Sequence, residues 1–113
     1  MKNKYIEEIK KEFPNFYKYL IEIDEDIELP YMVFSSLGNY IEKVVNEKNI
    51  QLVEDIIKYI NDKLETEDSY IKDVIVTGTF AEMTNKKEVV EKIKPFLSKK
   101  SKELLNIVLS EYN

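Results

Sequence analysis

"SYIKDVIVTGTFAEM", residues 69–83, has the β-branched and aromatic content of a strand between Val74 and Phe80, yet the segments around it read as helix. At period two its alternating sets are Val74, Val76, Gly78, Phe80 and Ile75, Thr77, Thr79, Ala81. Neither forms an apolar face opposite a polar one. At period 3.6, Ile71, Val74, Ile75, Gly78 and Ala81 fall on one stripe, with Glu82 beside it. No other segment offers a strand partner, and a lone strand is not stable. A β-branched residue costs only a few tenths of a kcal/mol in a helix, against ~1.5 kcal/mol or more for each apolar side chain buried. The stretch is therefore expected to be helical. Thr66 is placed to cap it, Glu67 and Asp68 suit the positive end of its dipole, and Gly78 and Ala81 let a neighbouring helix come close. A phosphate loop on Gly78 is disfavoured, since no glycine-rich pattern surrounds it.

Outward from this stretch the same period recurs. Ile6, Ile9, Phe13, Phe16, Tyr17 and Leu20 make one helical face, broken at Pro14 into a helix ending near Glu12 and a second starting at Pro14, or kinked there. Pro30 suits the first position of the next helix, with the stripe Val33, Phe34, Leu37, Tyr40, Ile41, Val44 and Val45. The turn "NEKN" (46–49) follows, with Asn49 as N-cap, then Val53, Ile56, Ile57, Ile60 and Leu64. Asn85 with Glu88 resembles a capping box ahead of Val89, Val90 and Ile93, and Pro95 should end or kink that helix. Ser98 or Ser101 can cap the last helix, whose stripe is Leu104, Leu105, Val108, Leu109 and Tyr112. The fold expected over residues 1–113 is one all-α domain of five to six helices in antiparallel hairpins, which could stack as a short HEAT- or armadillo-like array.

Composition narrows the function. The 113 residues suit one domain, and 43% hydrophobic against 35% charged residues indicates a globular chain. There is no Cys, His, Trp or Arg. The first two absences remove disulfides, thiolate sites and the commonest general base, so the expectation is a non-enzyme with no metal or cofactor. The N-terminus is charged where a signal peptide is apolar, and no run approaches a membrane span, so a soluble cytoplasmic protein without membrane contact is expected. Residues 1–85 carry 10 Lys and 18 acids, whereas residues 86–113 carry 7 Lys and 4 acids. That balance disfavours nucleic acid as a partner, and the lysine-rich tail reads as a solvated face.

Two acidic connections stand out. Glu22, Asp24, Glu25, Asp26 and Glu28 crowd seven residues without the glycine turn or terminal glutamate of a calcium loop. Asp62, Glu65, Glu67 and Asp68 form the second. In an up-and-down array both lie at one end, joined there by the basic "SKKSK" (98–102), with "NEKN" and "TNKK" at the other. Together they would form a negative patch that attracts a cationic protein. Tyr17 and Tyr40 fit the core, while Tyr19, Tyr31, Tyr59 and Tyr70 lie off the stripes or beside the acids, where tyrosine serves interfaces. The expected contacts are Asp24, Glu25, Asp26, Glu28 and Tyr31 from the first connection, and Glu65, Glu67, Asp68 and Tyr70 from the second. Glu42 and Glu82, within apolar helices, are the candidate pair for carboxylate chemistry.

The segments "YMVFSSLGNYIEKVV" and "IIKYINDKLETEDSYIKDVIVTGTFAEM" resemble a family of small all-helical bacterial proteins, a domain of unknown function. The resemblance spans about residues 31–105 and rests on Asp68, Val74, Ile75, Phe80 and Glu82. It departs at Asn61-Asp62, where a glutamate is expected. What the resemblance implies is an immunity protein that neutralises a toxin from a neighbouring cell. The rival readings are a helical-repeat adaptor for a cellular protein and a carboxylate-based enzyme or metal-dependent regulator.

Overall fold

The stretch that raised the question of strand or helix is helical, but not in one register. A computed structural model describes residues 3–66 and 68–112. In it an α-helix over Ser69–Val74 runs into a π-helix over Ile75–Phe80 and a 3-10 turn over Ala81–Met83. No strand occurs among the described residues. The wider π turn shifts the phase of all that follows it. Phe80 and Met83 are thereby buried with Ile71, Val74 and Ile75, while Ala81, expected on the stripe, is only half-buried.

Seven α-helices are described, rather than five or six, because the break at Pro14 is complete. They are α1 (Asn3–Glu12), α2 (Pro14–Glu22), α3 (Pro30–Asn46), α4 (Ile50–Leu64), α5 (Ser69–Val74), α6 (Lys87–Ile93) and α7 (Lys99–Tyr112). Proline stands at the start of α2 and of α3, where its missing N–H costs no helical bond. The Asn49 side chain accepts the Leu52 N–H at 3.2 Å, capping α4, and the Ser98 hydroxyl accepts the Ser101 N–H at the start of α7. Two expected caps are displaced. Asp68, not Thr66, caps α5, and the Thr66 hydroxyl instead donates to the Lys63 carbonyl. Lys86, not Asn85, holds the N-cap position of α6, with no side-chain bond. The side chain of Tyr112, expected on the stripe of α7, lies outside the described residues.

Helix α3 runs through the middle and packs with α1, α2, α4, α6 and, most closely, the π segment. The described residues span 33 × 30 × 23 Å. The close crossing uses one glycine from each helix. A Cβ on Gly38 would lie 2.7 Å from Glu82 Cβ and 2.9 Å from the Thr79 carbonyl oxygen, and one on Gly78 would lie 3.2 Å from the Ser35 nitrogen. Buried beside them, Thr79 donates its hydroxyl to the Phe34 carbonyl at 2.6 Å.

Phe16, Phe34 and Phe80 fill the centre, each almost wholly buried. Tyr59, expected at the surface, is core: its ring meets Phe13 edge-on at 5.6 Å and its hydroxyl donates to Glu8 at 3.0 Å. Tyr17, expected in the core, is half-buried. At the lower end of α4, Asn61 donates to the Phe96 carbonyl and accepts from the Ser98 N–H and the Ser101 hydroxyl. Asn61 thus ties the 96–101 segment to α4.

Candidate functional site

Helix α2 ends in a tight reversal. The Glu25 N–H reaches the Leu20 carbonyl and the Asp24 N–H reaches that of Ile21, while Asp24 adopts a left-handed φ of 57°. This is a Schellman cap with aspartate where glycine is usual, and aspartate is among the few residues that tolerate the conformation. The reversal swings Glu25 over α3, where its carboxylate accepts the Ser36 hydroxyl. Next, the Asp26 side chain accepts the Glu28 N–H at 3.1 Å and its carbonyl accepts the Leu29 N–H at 3.3 Å, closing a turn that delivers Pro30 to α3. The corner between α2 and α3 is therefore held by its own hydrogen bonds.

What it displays is unusual for a free surface. Five of the eight large apolar side chains exposed among the described residues lie between Ile21 and Met32: Ile21 (55% exposed), Ile23, Leu29, Tyr31 (51%) and Met32. Glu22, Asp24, Asp26 and Glu28 stand exposed among them. No lysine occurs between Lys18 and Lys43, and none of these acids forms an ion pair among the described residues. Exposed apolar side chains are thus interspersed with charges of a single sign.

The expected contacts divide accordingly. Asp24, Asp26, Glu28 and Tyr31 share this corner and face solvent, whereas Glu25 is half-buried against Ser36. In the second connection Glu65 is exposed, Glu67 lies outside the described residues, and Tyr70 is partly exposed. Asp68 is occupied within the fold: it accepts the Tyr70 N–H at 2.9 Å and the Tyr5 hydroxyl from α1. The Tyr5 bond holds the Asp68 carboxyl below its ordinary pKa. Burial, with Asp68 adding to it, pushes the Tyr5 hydroxyl up to about 12. The two acidic connections lie toward one end, because α3 and the 69–83 helix run in the same direction, Gly78 facing Tyr31 and Ser35, and Gly38 facing Glu82. They are staggered: α5 begins more than one turn beyond the level of Pro30, and no hydrogen bond joins them among the described residues.

Ile21, Ile23, Leu29 and Met32 escape a reading by stripes, which asks which apolar residues share the buried face. Their signal was being apolar off the stripe while packed among acids. Of the candidate carboxylates, Glu42 forms an ion pair with Lys86 at 3.2 Å and Glu82 accepts the Ser35 hydroxyl at 3.3 Å. Among the described residues no three metal-binding side chains converge, and no helix is long and apolar enough to cross a membrane.

Residues 6–110 match the model of a family described as a domain of unknown function (DUF7674). The match is longer than the resemblance read from residues 31–105 and agrees with it as far as a domain of unknown function. No curated protein and no solved structure matches the chain.

Proposed function

The chain belongs to this family of unknown function, and from the chemistry of its α2–α3 corner we propose that it is a non-catalytic protein that binds and occludes a basic protein partner. The observation that carries the reading is the cluster of exposed Ile21, Ile23, Leu29, Tyr31 and Met32 among acids that form no ion pair among the described residues. Apolar side chains supply most of the affinity of such a face, and the acids speed and orient the encounter. A backbone already fixed by hydrogen bonds loses little freedom on binding. The partner proposed is a toxin, with this chain as its immunity protein in the cytoplasm. A nuclease toxin presents a basic cleft for its polyanionic substrate, and an acidic corner with apolar anchors is complementary to such a cleft.

Growth rescue tests this. The open reading frame beside the gene is induced in a bacterium with and without this chain. Rescue is expected, and Glu22→Lys with Glu28→Lys should abolish it. These two acids are better probes than Asp24, Glu25 or Asp26, whose backbone or side chains hold the corner together. Toxicity left unchanged, or a harmless neighbour, shifts the reading to an adaptor for a cellular protein bound through the same corner.

A further inference from the structure

The other end of α3 carries a feature that the proposed docking face does not use. A cleft of about 820 Å³ opens between the 45–48 segment and the 84–92 segment, with Val45 and Val89 on its floor. It lies roughly 20 Å along α3 from the apolar corner. The whole chain has a net charge of −5, yet this cleft is lined by Lys48, Lys86, Lys87 and Lys92 against only Glu42 and Glu88. Lys86 is oriented by its ion pair with Glu42 at 3.2 Å. Lys48, Lys87 and Lys92 form no ion pair among the described residues. Lys48 holds the left-handed position (φ 61°) of the Schellman cap that ends α3, its N–H reaching the Val45 carbonyl and that of Asn49 the Val44 carbonyl.

Four lysines against two glutamates leave the cleft lining with a net positive charge, which attracts an anion. Phosphate is the matching chemistry, since lysine binds it as a point charge and needs no arginine fork. The volume is within the range of small-molecule sites, and the valine floor gives an apolar body somewhere to rest. Thr84 and Asn46 add neutral hydrogen-bonding groups at the wall. We propose that this cleft binds a small phosphorylated molecule, its phosphates among Lys48, Lys87 and Lys92 and its body over Val45 and Val89. The site is independent of the partner-binding corner and stands or falls separately.

The test is amide NMR at fixed ionic strength with ATP as probe and adenosine as its uncharged control. ATP should give saturable shifts confined to residues near 45–48 and 84–92, and adenosine none. Lys87→Glu with Lys92→Glu should weaken ATP at least tenfold, whereas Lys99→Glu with Lys102→Glu should leave it unchanged, all at an unaltered melting temperature. Shifts that never saturate, that appear equally around Lys99 and Lys102, that adenosine reproduces, or that survive the Lys87/Lys92 exchange overturn the proposal.

Discussion

Along its middle, α3 lies backbone to backbone against the π segment, whereas at its start Leu29, Tyr31 and Met32 stand out in solvent. The first region has no room: a single methyl group on Gly38 meets a carbonyl oxygen at 2.9 Å. The second has room to spare, and its backbone is held by local hydrogen bonds. The difference separates what the chain needs to fold from what it has free to bind with.

Substitutions should divide along the same line. Gly38→Ala should have the largest effect, about 3 kcal/mol of destabilisation, because the obstructing atoms include backbone that cannot move aside. Thermal melting should register it as a fall of roughly 10 °C or more, and a melting point within two degrees of the parent would show that the crossing yields easily. Asn61→Ala comes next at about 2 kcal/mol, since it strands the Phe96 carbonyl, the Ser98 N–H and the Ser101 hydroxyl together. Denaturant titration measures it.

At the corner the sign of the comparison reverses. Leu29→Ala and Tyr31→Ala should leave melting unchanged while each weakens partner binding by about 2 kcal/mol. Calorimetry with the partner that rescue identifies would decide it, and undiminished affinity would move the interface elsewhere. Thr79→Val should cost about 1 kcal/mol, the worth of one buried hydrogen bond.

The smallest effect is in pH dependence. The Tyr5 hydroxyl is raised to about 12 in the fold, so its contribution is complete below its ordinary value near 10 and is lost as pH rises toward 12. Asp68 is lowered, so its contribution is present above its ordinary value near 4 and is lost as pH falls through its folded value. The clasp between α1 and α5 should thus be firm from about pH 5 to 10. Tyr5→Phe should melt with a shallower loss between pH 10 and 12 than the parent, and an unchanged alkaline slope would assign that loss to Tyr59, whose hydroxyl burial also raises.

Much of the fold was legible from residues whose chemistry acts locally. Pro14 and Pro30 mark helix starts because a missing N–H is harmless only there, and Asn49 and Ser98 mark caps because their side chains reach backbone two or three residues on. Of the candidate face, the acids and Tyr31 were legible as charge and composition. Ile21, Ile23, Leu29 and Met32 were not, since nothing near them in sequence distinguishes an apolar side chain that finds cover from one that does not. That Asp68, read as a contact, also accepts the Tyr5 hydroxyl was not legible, because Tyr5 is 63 residues away.

By itself, then, the sequence determined that this chain is all-helical, where most helices begin, and that it carries an acidic, Arg-free surface. Those properties follow from spacing, capping and charge, which neighbouring residues settle among themselves. Only the tertiary structure decided the π register of residues 75–80, the pairing of Gly38 with Glu82 and Gly78 with Ser35, and which apolar residues stay in water. Each of those is a compromise between two segments distant in the chain. A strand-like run takes a wide helical turn here because Phe80 and Met83 are buried in that register while Thr79 reaches the Phe34 carbonyl.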